Sequence, residues 1–201
     1  IVVVDSRQKL HFQQLFKTAE LMGYPQAARS VHLAYETVNT ADGKAFSSRQ
    51  LNGLQIAELR SEMEAQVRNS YLERYRGEWS DAEIEKTAQE VAIGALKYGM
   101  LRVDNNTQVN FVLDEWLKLD GDTGPYLRYV HARCKNILVK QGAGTGEAGT
   151  GGAPFSPHFE LPVENELLFF LLRFNDVAVQ AAVQLRPTVI SAYLFDLAKM
   201  F

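Results

Sequence analysis

The loop Asp42-Gly-Lys-Ala-Phe-Ser-Ser-Arg49 gathers two cations, two serine hydroxyls and a glycine. Cations and hydroxyls gathered on one loop can meet an anion. Read alone, the same residues also suit an ordinary surface turn. A second group lies in Val4-Asp-Ser-Arg-Gln-Lys-Leu-His-Phe12, where a short apolar run gives way to a polar break. Gln8 there has a carboxamide that both donates and accepts. Either it reads a polar substrate, or Asp5, Arg7 and Gln8 cap the helix that follows. His11 stands one helical turn further on. His32, in Val31-His-Leu-Ala-Tyr-Glu36, is either a packed strand histidine or part of a site. Finally, Tyr126, Tyr129 and Val130 share a stripe near Arg128, Arg133 and Lys135. Aromatics beside cations can stack on and neutralise RNA; a stripe at this spacing also serves as core.

These residues need elements to hold them. Ile1 to Val4 is a continuous β-branched run, the pattern of a strand buried on both faces of a parallel sheet. Lys9 to Met22 has helical spacing at Leu10, Leu15, Ala19 and Met22, with Phe12 and Phe16 flanking, and Gly23 stops it. Val31 to Val38 reads as the next strand, so strand, helix and strand form a parallel crossover. Ligands then belong beyond the carboxyl ends of the strands. After a Gly/Ser/Asn-rich loop, Ile56 to Tyr75 reads as a long helix. Ser80-Asp-Ala-Glu83 is a capping box that opens another, running to about Leu101. Asn110 to Leu113 is a strand-like connection, and Thr123-Gly-Pro125 starts a helix to about Lys140. Residues 141–154 are low in complexity and read as a Gly-rich linker. Helical patterns resume over 167–174, 177–185 and 187–201, as an antiparallel bundle.

Composition adds bounds. The chain has 201 residues, 46% hydrophobic and 22% charged, with a net charge of −3. A global field that attracts nucleic acid is therefore excluded, and RNA contact would need a local patch. Cys134 is the only cysteine, which rules out a disulfide framework or a zinc cluster of cysteines. No run of apolar residues reaches the ~18 of a membrane span.

Taken in order, Val4-to-Phe12, the strand with His32, the 42–49 loop, Ala92-Ile-Gly-Ala-Leu-Lys-Tyr98 and Asp122-Thr-Gly-Pro-Tyr126 resemble the arginyl-tRNA synthetases of class I. The resemblance covers nearly the whole chain. It implies the C-terminal portion of a Rossmann-like parallel-sheet domain, then a helical anticodon-binding bundle: α/β followed by all-α. It divides the chain into 1–55 (end of the catalytic domain), 56–140 (helical connector and start of the anticodon-binding domain), 141–154 (linker) and 155–201 (incomplete bundle). It also implies roles. Gln8 holds the substrate arginine, with His11 behind it. His32, Leu33 and Ala34 pass under the adenine of ATP, with Leu33 and Ala34 offering backbone groups. The 42–49 loop stands in place of the KMSKS motif, with Ser48 where the second lysine is usual. Phe46, Ser47 and Ser48 then belong to the ATP site, and Lys44, Ser47 and Arg49 act in catalysis. Gly94 lets two helices approach closely.

The implied activity is arginine–tRNA ligation. ATP and arginine react to arginyl-adenylate, and the arginyl group passes to tRNA(Arg). Mg²⁺ travels with the substrate phosphates rather than in a protein metal site. The implied setting is a cytoplasmic monomer with no membrane contact. The HIGH motif of the class is absent from these residues, so the chain alone is expected to be inactive. The alternative is a catalytically silent, synthetase-derived helical module that binds RNA or serves as a scaffold. Another class I synthetase, for lysine or cysteine, fits the Thr-Gly-Pro-Tyr helix less well.

Overall fold

A computed structural model describes residues 1–44, 55–140, 159 and 161–201. The chain opens with strand β1 (Val2–Asp5), a 3₁₀ turn, helix α1 (Lys9–Leu21) and strand β2 (His32–Tyr35). β1 and β2 pair in parallel, with Val2 opposite His32 and Asp5 opposite Tyr35. This is the expected crossover. The face that α1 packs is not Leu10 and Leu15, which are 65% and 48% exposed, but the half-buried Phe12, Phe16 and Ala19. Those three lie at i, i+4 and i+7, one stripe of a helix. β1 is also less covered than its β-branched run suggests, since Val3 is 61% exposed.

The second strand is shorter than its apolar pattern. It ends at Tyr35, and Val38 belongs instead to β3 (Val38–Asn39), which pairs in parallel with β4 (Val109–Asn110). The break lies at Glu36 and Thr37. The Glu36 amide donates to the Asn105 carbonyl at 3.0 Å, and the Thr37 carbonyl accepts from Val109 at 3.2 Å. The backbone thus leaves one sheet for another within two residues.

The main core is helical. Helix α2 (Ile56–Val67) and helix α3 (Asp81–Leu101) bury Leu59, Met63, Val67, Ile84, Ala88, Ala92 and Ala95 against one another. The long helix expected to Tyr75 is regular only to Val67. A π-helical turn (Arg68–Leu72) and a 3₁₀ turn (Glu73–Tyr75) finish it. The wide turn lets Tyr71 donate its hydroxyl to the Leu117 carbonyl at 2.6 Å. Ser80 and Glu83 form the expected capping box of α3. A short helix α4 (Leu113–Trp116) then closes the core with Trp116 and Leu117.

Helix α5 (Gly124–Lys140) starts where Thr123 caps it: the Tyr126 amide donates to Thr123 Oγ1 at 3.2 Å. It crosses α3 at a point of backbone contact. A methyl built on Gly124 would lie 2.7 Å from the Gly94 carbonyl oxygen. The close approach expected at Gly94 is present, but the glycine that permits it is Gly124: a methyl on Gly94 would meet only the side chain of Arg128. Helices α6 (Pro162–Leu172), α7 (Phe174–Gln184) and α8 (Thr188–Met200) follow. α7 ends on a Schellman-type cap, in which Arg186 donates to Ala181 and Leu185 to Ala182. Leu185 occupies the left-handed position, φ 53°, where glycine is usual. α6 buries none of its residues, and Phe169 and Leu172 are 66% and 67% exposed. The dense apolar block at 167–172 thus has more apolar surface than α7 and α8 cover.

Candidate functional site

The polar break after β1 resolves into two jobs. Arg7 donates its amide and Nε to Asp5 Oδ1, both at 2.8 Å, and a terminal nitrogen to Oδ2 at 2.7 Å. These bonds hold the Asp5 carboxyl at about 2, below the usual carboxylate range. Asp5 thus caps the 3₁₀ turn Ser6–Gln8, with the Arg7 amide as donor, rather than α1 itself. Gln8 is the N-terminal boundary residue of α1 but makes no capping bond with its side chain, and its carboxamide is exposed. His11, also exposed, touches Phe12 edge-on with ring centroids 5.3 Å apart.

On β2, the His32 ring is committed to packing. Its Nε2 lies 3.0 Å from the Val4 carbonyl, and the ring sits 4.8 Å from that of Phe12. The backbone is more telling. The Val2 amide donates to the Val31 carbonyl at 2.8 Å. In a parallel ladder, alternate residues face the partner strand. Leu33 thus turns its amide and carbonyl toward β1, while those of His32 and Ala34 point to the opposite edge. Of the two backbone partners expected for an adenine, Ala34 is the one whose groups face away from β1.

His32, Leu33 and Ala34 line a cleft of about 690 Å³ together with Ser6, Lys9 and Asn105. Gln8 and His11 lie outside that lining. Lys44 is also separate, at the end of a turn over 40–44. There Thr40 donates its amide to the Lys44 carbonyl at 2.8 Å, and Lys44 Nζ pairs with Asp42 Oδ2 at 2.8 Å. The Lys44 ammonium, helped by the Thr40 hydroxyl, holds the Asp42 carboxyl at about 2, and the same bond raises the Lys44 pKa. The pair is therefore fully ionised at neutral pH, and only acidification through about pH 2 neutralises Asp42. A carboxyl-detected NMR titration is expected to give Asp42 a midpoint near 2, moving toward 3.8 in Lys44→Ala. A midpoint that ignores that substitution would show that the ion pair is not formed in solution. Phe46, Ser47, Ser48 and Arg49 lie outside the described residues.

The aromatic-basic helix divides. Tyr126 packs on α8, its ring 6.0 Å from Phe195 and its hydroxyl 3.3 Å from the Ala198 carbonyl. Tyr129 does not join it and is 52% exposed. It lines a cleft of about 300 Å³ with Tyr71, Tyr75, Trp79, Arg128 and His131. Tyr75 and Trp79 stack there at 4.5 Å and 14°, with Arg74 over Tyr75 at 4.9 Å. This aromatic wall is not among the residues expected to form a site. Its signal was the spacing of four in Tyr71, Tyr75 and Trp79. Among the described residues, no three His, Cys, Asp or Glu side chains converge on a metal position, and no helix is long and apolar enough to cross a membrane.

The sequence model described as "tRNA synthetases class I (R), catalytic domain" matches residues 1–114. The chain belongs to the class I arginyl-tRNA synthetase family. The model described as "DALR anticodon binding domain" matches residues 127–201, so the α/β segment is followed by a DALR-type helical region. The arginine–tRNA ligase of Bdellovibrio bacteriovorus is 42% identical over 202 residues, covering 100% of this chain and 34% of that protein. A ligase of Thermus thermophilus is 37% identical, covering 98% of this chain and 32% of its own length. The structure of a Thermus thermophilus arginyl-tRNA synthetase superposes with a TM-score of 0.81 at 34% identity, over 98% of this chain and 31% of that one. The Plasmodium falciparum arginyl-tRNA synthetase shares the fold, with a TM-score of 0.77 at 20% identity, over 99% of this chain and 33% of that one. The chain thus spans about a third of the length of the curated relatives it matches.

Proposed function

We propose that these residues act as part of an arginine–tRNA ligase, about a third of its length. The observation that carries this is the match of the whole chain, sheet segment and helical bundle together, to arginine–tRNA ligases. The substrates would be arginine, ATP and tRNA(Arg), and Mg²⁺ would accompany the ATP phosphates. The reaction has two displacements. A carboxylate oxygen of arginine attacks the α-phosphorus of ATP and pyrophosphate leaves. A ribose hydroxyl of the terminal adenosine of tRNA then attacks the adenylate carbonyl, and AMP leaves. Neither step needs a covalent enzyme intermediate, so the protein contributes position and charge.

Within that scheme each residue has a separate task. Gln8 presents its exposed carboxamide to the arginine, with His11 behind it. The open edge of β2 at His32 and Ala34 reads the adenine, and the His32 ring braces the strand from the other side. Lys44 exchanges Asp42 for phosphate oxygens. Phe46, Ser47, Ser48 and Arg49 complete the clamp. The helical region over 127–201 contacts the anticodon side of the tRNA, in a monomeric cytoplasmic enzyme.

The test is ATP–pyrophosphate exchange by the full-length enzyme with tRNA present, offering each amino acid in turn. Exchange that depends on arginine supports the reading. Its absence, with tRNA binding retained, favours a silent RNA-binding module. Residues 1–201 alone are expected to show no exchange. In the active enzyme, Gln8→Ala is expected to raise the KM for arginine. A lost hydrogen bond to a charged partner costs about 1.5–3 kcal/mol, roughly a 10- to 150-fold rise. An unchanged arginine KM would remove Gln8 from the pocket.

A further inference from the structure

We propose that Asn105 and Arg186 are positioning residues through which the turn between α7 and α8 sets the end of β2. The inference rests on the reading of β2 as the adenine strand and adds a route by which the helical bundle acts on it.

Several contacts meet in the loop after α3. Arg186 pairs with the Asp104 carboxylate. Asn105 donates its side-chain amide to the Leu185 carbonyl at 3.4 Å. Asp104 also folds the loop, accepting from the Asn106 amide at 3.2 Å through its side chain and from Thr107 at 2.9 Å through its carbonyl. The Asn106 amide and Arg186 together lower the Asp104 pKa. On its other side, the Asn105 carbonyl accepts the Glu36 amide, the first backbone group after β2 turns away. One residue therefore touches the bundle with its side chain and the strand end with its backbone. Asp104, Asn105, Arg186 and Glu36 border the same cleft as His32 and Ala34.

The turn itself is under constraint. Leu185 holds a left-handed conformation that its branched side chain disfavours, and its carbonyl is the acceptor for Asn105. A non-glycine residue kept in that region implies that its surroundings fix it. The Arg186–Asp104 pair is partly exposed, so its role in stability is small. What it does is hold direction. A shift of α7 and α8 moves Leu185 and Arg186, these move the 104–106 loop, and the loop carries the Glu36 amide.

The experiment uses the full-length enzyme with Asn105→Ala and Arg186→Ala combined, which leaves the Asn105 backbone in place. Two readouts are taken. Hydrogen exchange of the peptide covering 32–38 is expected to speed up, while that covering 84–98 in α3 stays as in the wild type. In arginine-dependent exchange at saturating tRNA, the KM for ATP is expected to rise about 5-fold, the lower end of measured couplings between sites. The KM for arginine and the Kd for tRNA should hold within about 2-fold, and Arg186→Lys should keep the ATP KM near wild type. Unchanged protection over 32–38 overturns the proposal, as does a loss spread equally over α3 and all three substrates. A wild-type enzyme without arginine-dependent exchange would refute the proposed function instead. The hydrogen-exchange result still decides whether the turn positions β2.

Discussion

Lys44→Ala in the full-length enzyme is expected to slow formation of arginyl-adenylate by about 10²- to 10³-fold, with a smaller effect on the KM for ATP. ATP binds with its negative charge spread over three phosphates. As the α-phosphorus is attacked, charge builds on the leaving pyrophosphate. A cation fixed beside it stabilises the transition state more than the bound substrate, and so acts on kcat. Lys44 suits this because its ground-state partner is on the same turn: Asp42 holds its ammonium at 2.8 Å. Moving from one anion to another costs it little desolvation. Arg49→Ala is expected to show a loss of the same order. Rapid-quench measurement of single-turnover adenylate formation reads both. Wild-type rates in both variants would remove the 42–49 loop from the chemistry.

The sequence carried the helices well, because their signals are local. The Ser80/Glu83 box, the Thr123 cap and the apolar spacing of Leu59, Met63 and Val67 each depend on neighbours within one or two turns. The sheet was less legible. Val38 reads as a continuation of β2 by its β-branched side chain alone. Its true partner, Val109, lies far along the chain, and no local pattern announces that pairing. The π turn at Arg68–Leu72 was hidden for a related reason: its width suits the bond from Tyr71 to Leu117 across the core. Tyr129 failed differently. It shares a helical stripe with Tyr126, but α8 covers only the Tyr126 side.

The site was legible as a set of residues rather than as a geometry. Asp5, Arg7 and Gln8 read alike as caps of α1, whereas Asp5 caps the 3₁₀ turn before it and the Gln8 side chain makes no capping bond. Which backbone groups of β2 stay open follows from the register of its ladder, which residue types do not encode. The contacts of Asp104 and Asn105 with Leu185 and Arg186 join residues about eighty positions apart through polar side chains at the surface. A hydrophobic pattern is blind to them.

A close contact between α3 and the short helix α4 gives the second large effect, and its sign depends on the background. Trp116 is 5% exposed and meets Phe111 edge-on at 4.7 Å. Its six-membered ring lies against Gly99, so that a methyl built there would sit 2.4 Å from Trp116 Cε3. Trp116→Ala is expected to cost about 3–5 kcal/mol, since it removes a large buried ring and leaves a cavity. Gly99→Ala alone is expected to cost about 1–3 kcal/mol, because the ring has no free direction in which to yield. In the Trp116→Ala background the clash is gone. Gly99→Ala should then stabilise by about 1 kcal/mol, the helix preference of alanine over glycine. Gly94→Ala serves as a control on the same helix. Its methyl would meet Arg128 Nε at 2.8 Å, the far part of a flexible side chain that can swing away, so it should be close to neutral. Urea melts followed by circular dichroism give the four stabilities of the Gly99/Trp116 cycle. An equal cost for Gly99→Ala with and without the Trp116 ring would show that the two do not touch, and that α4 packs on α3 in some other way.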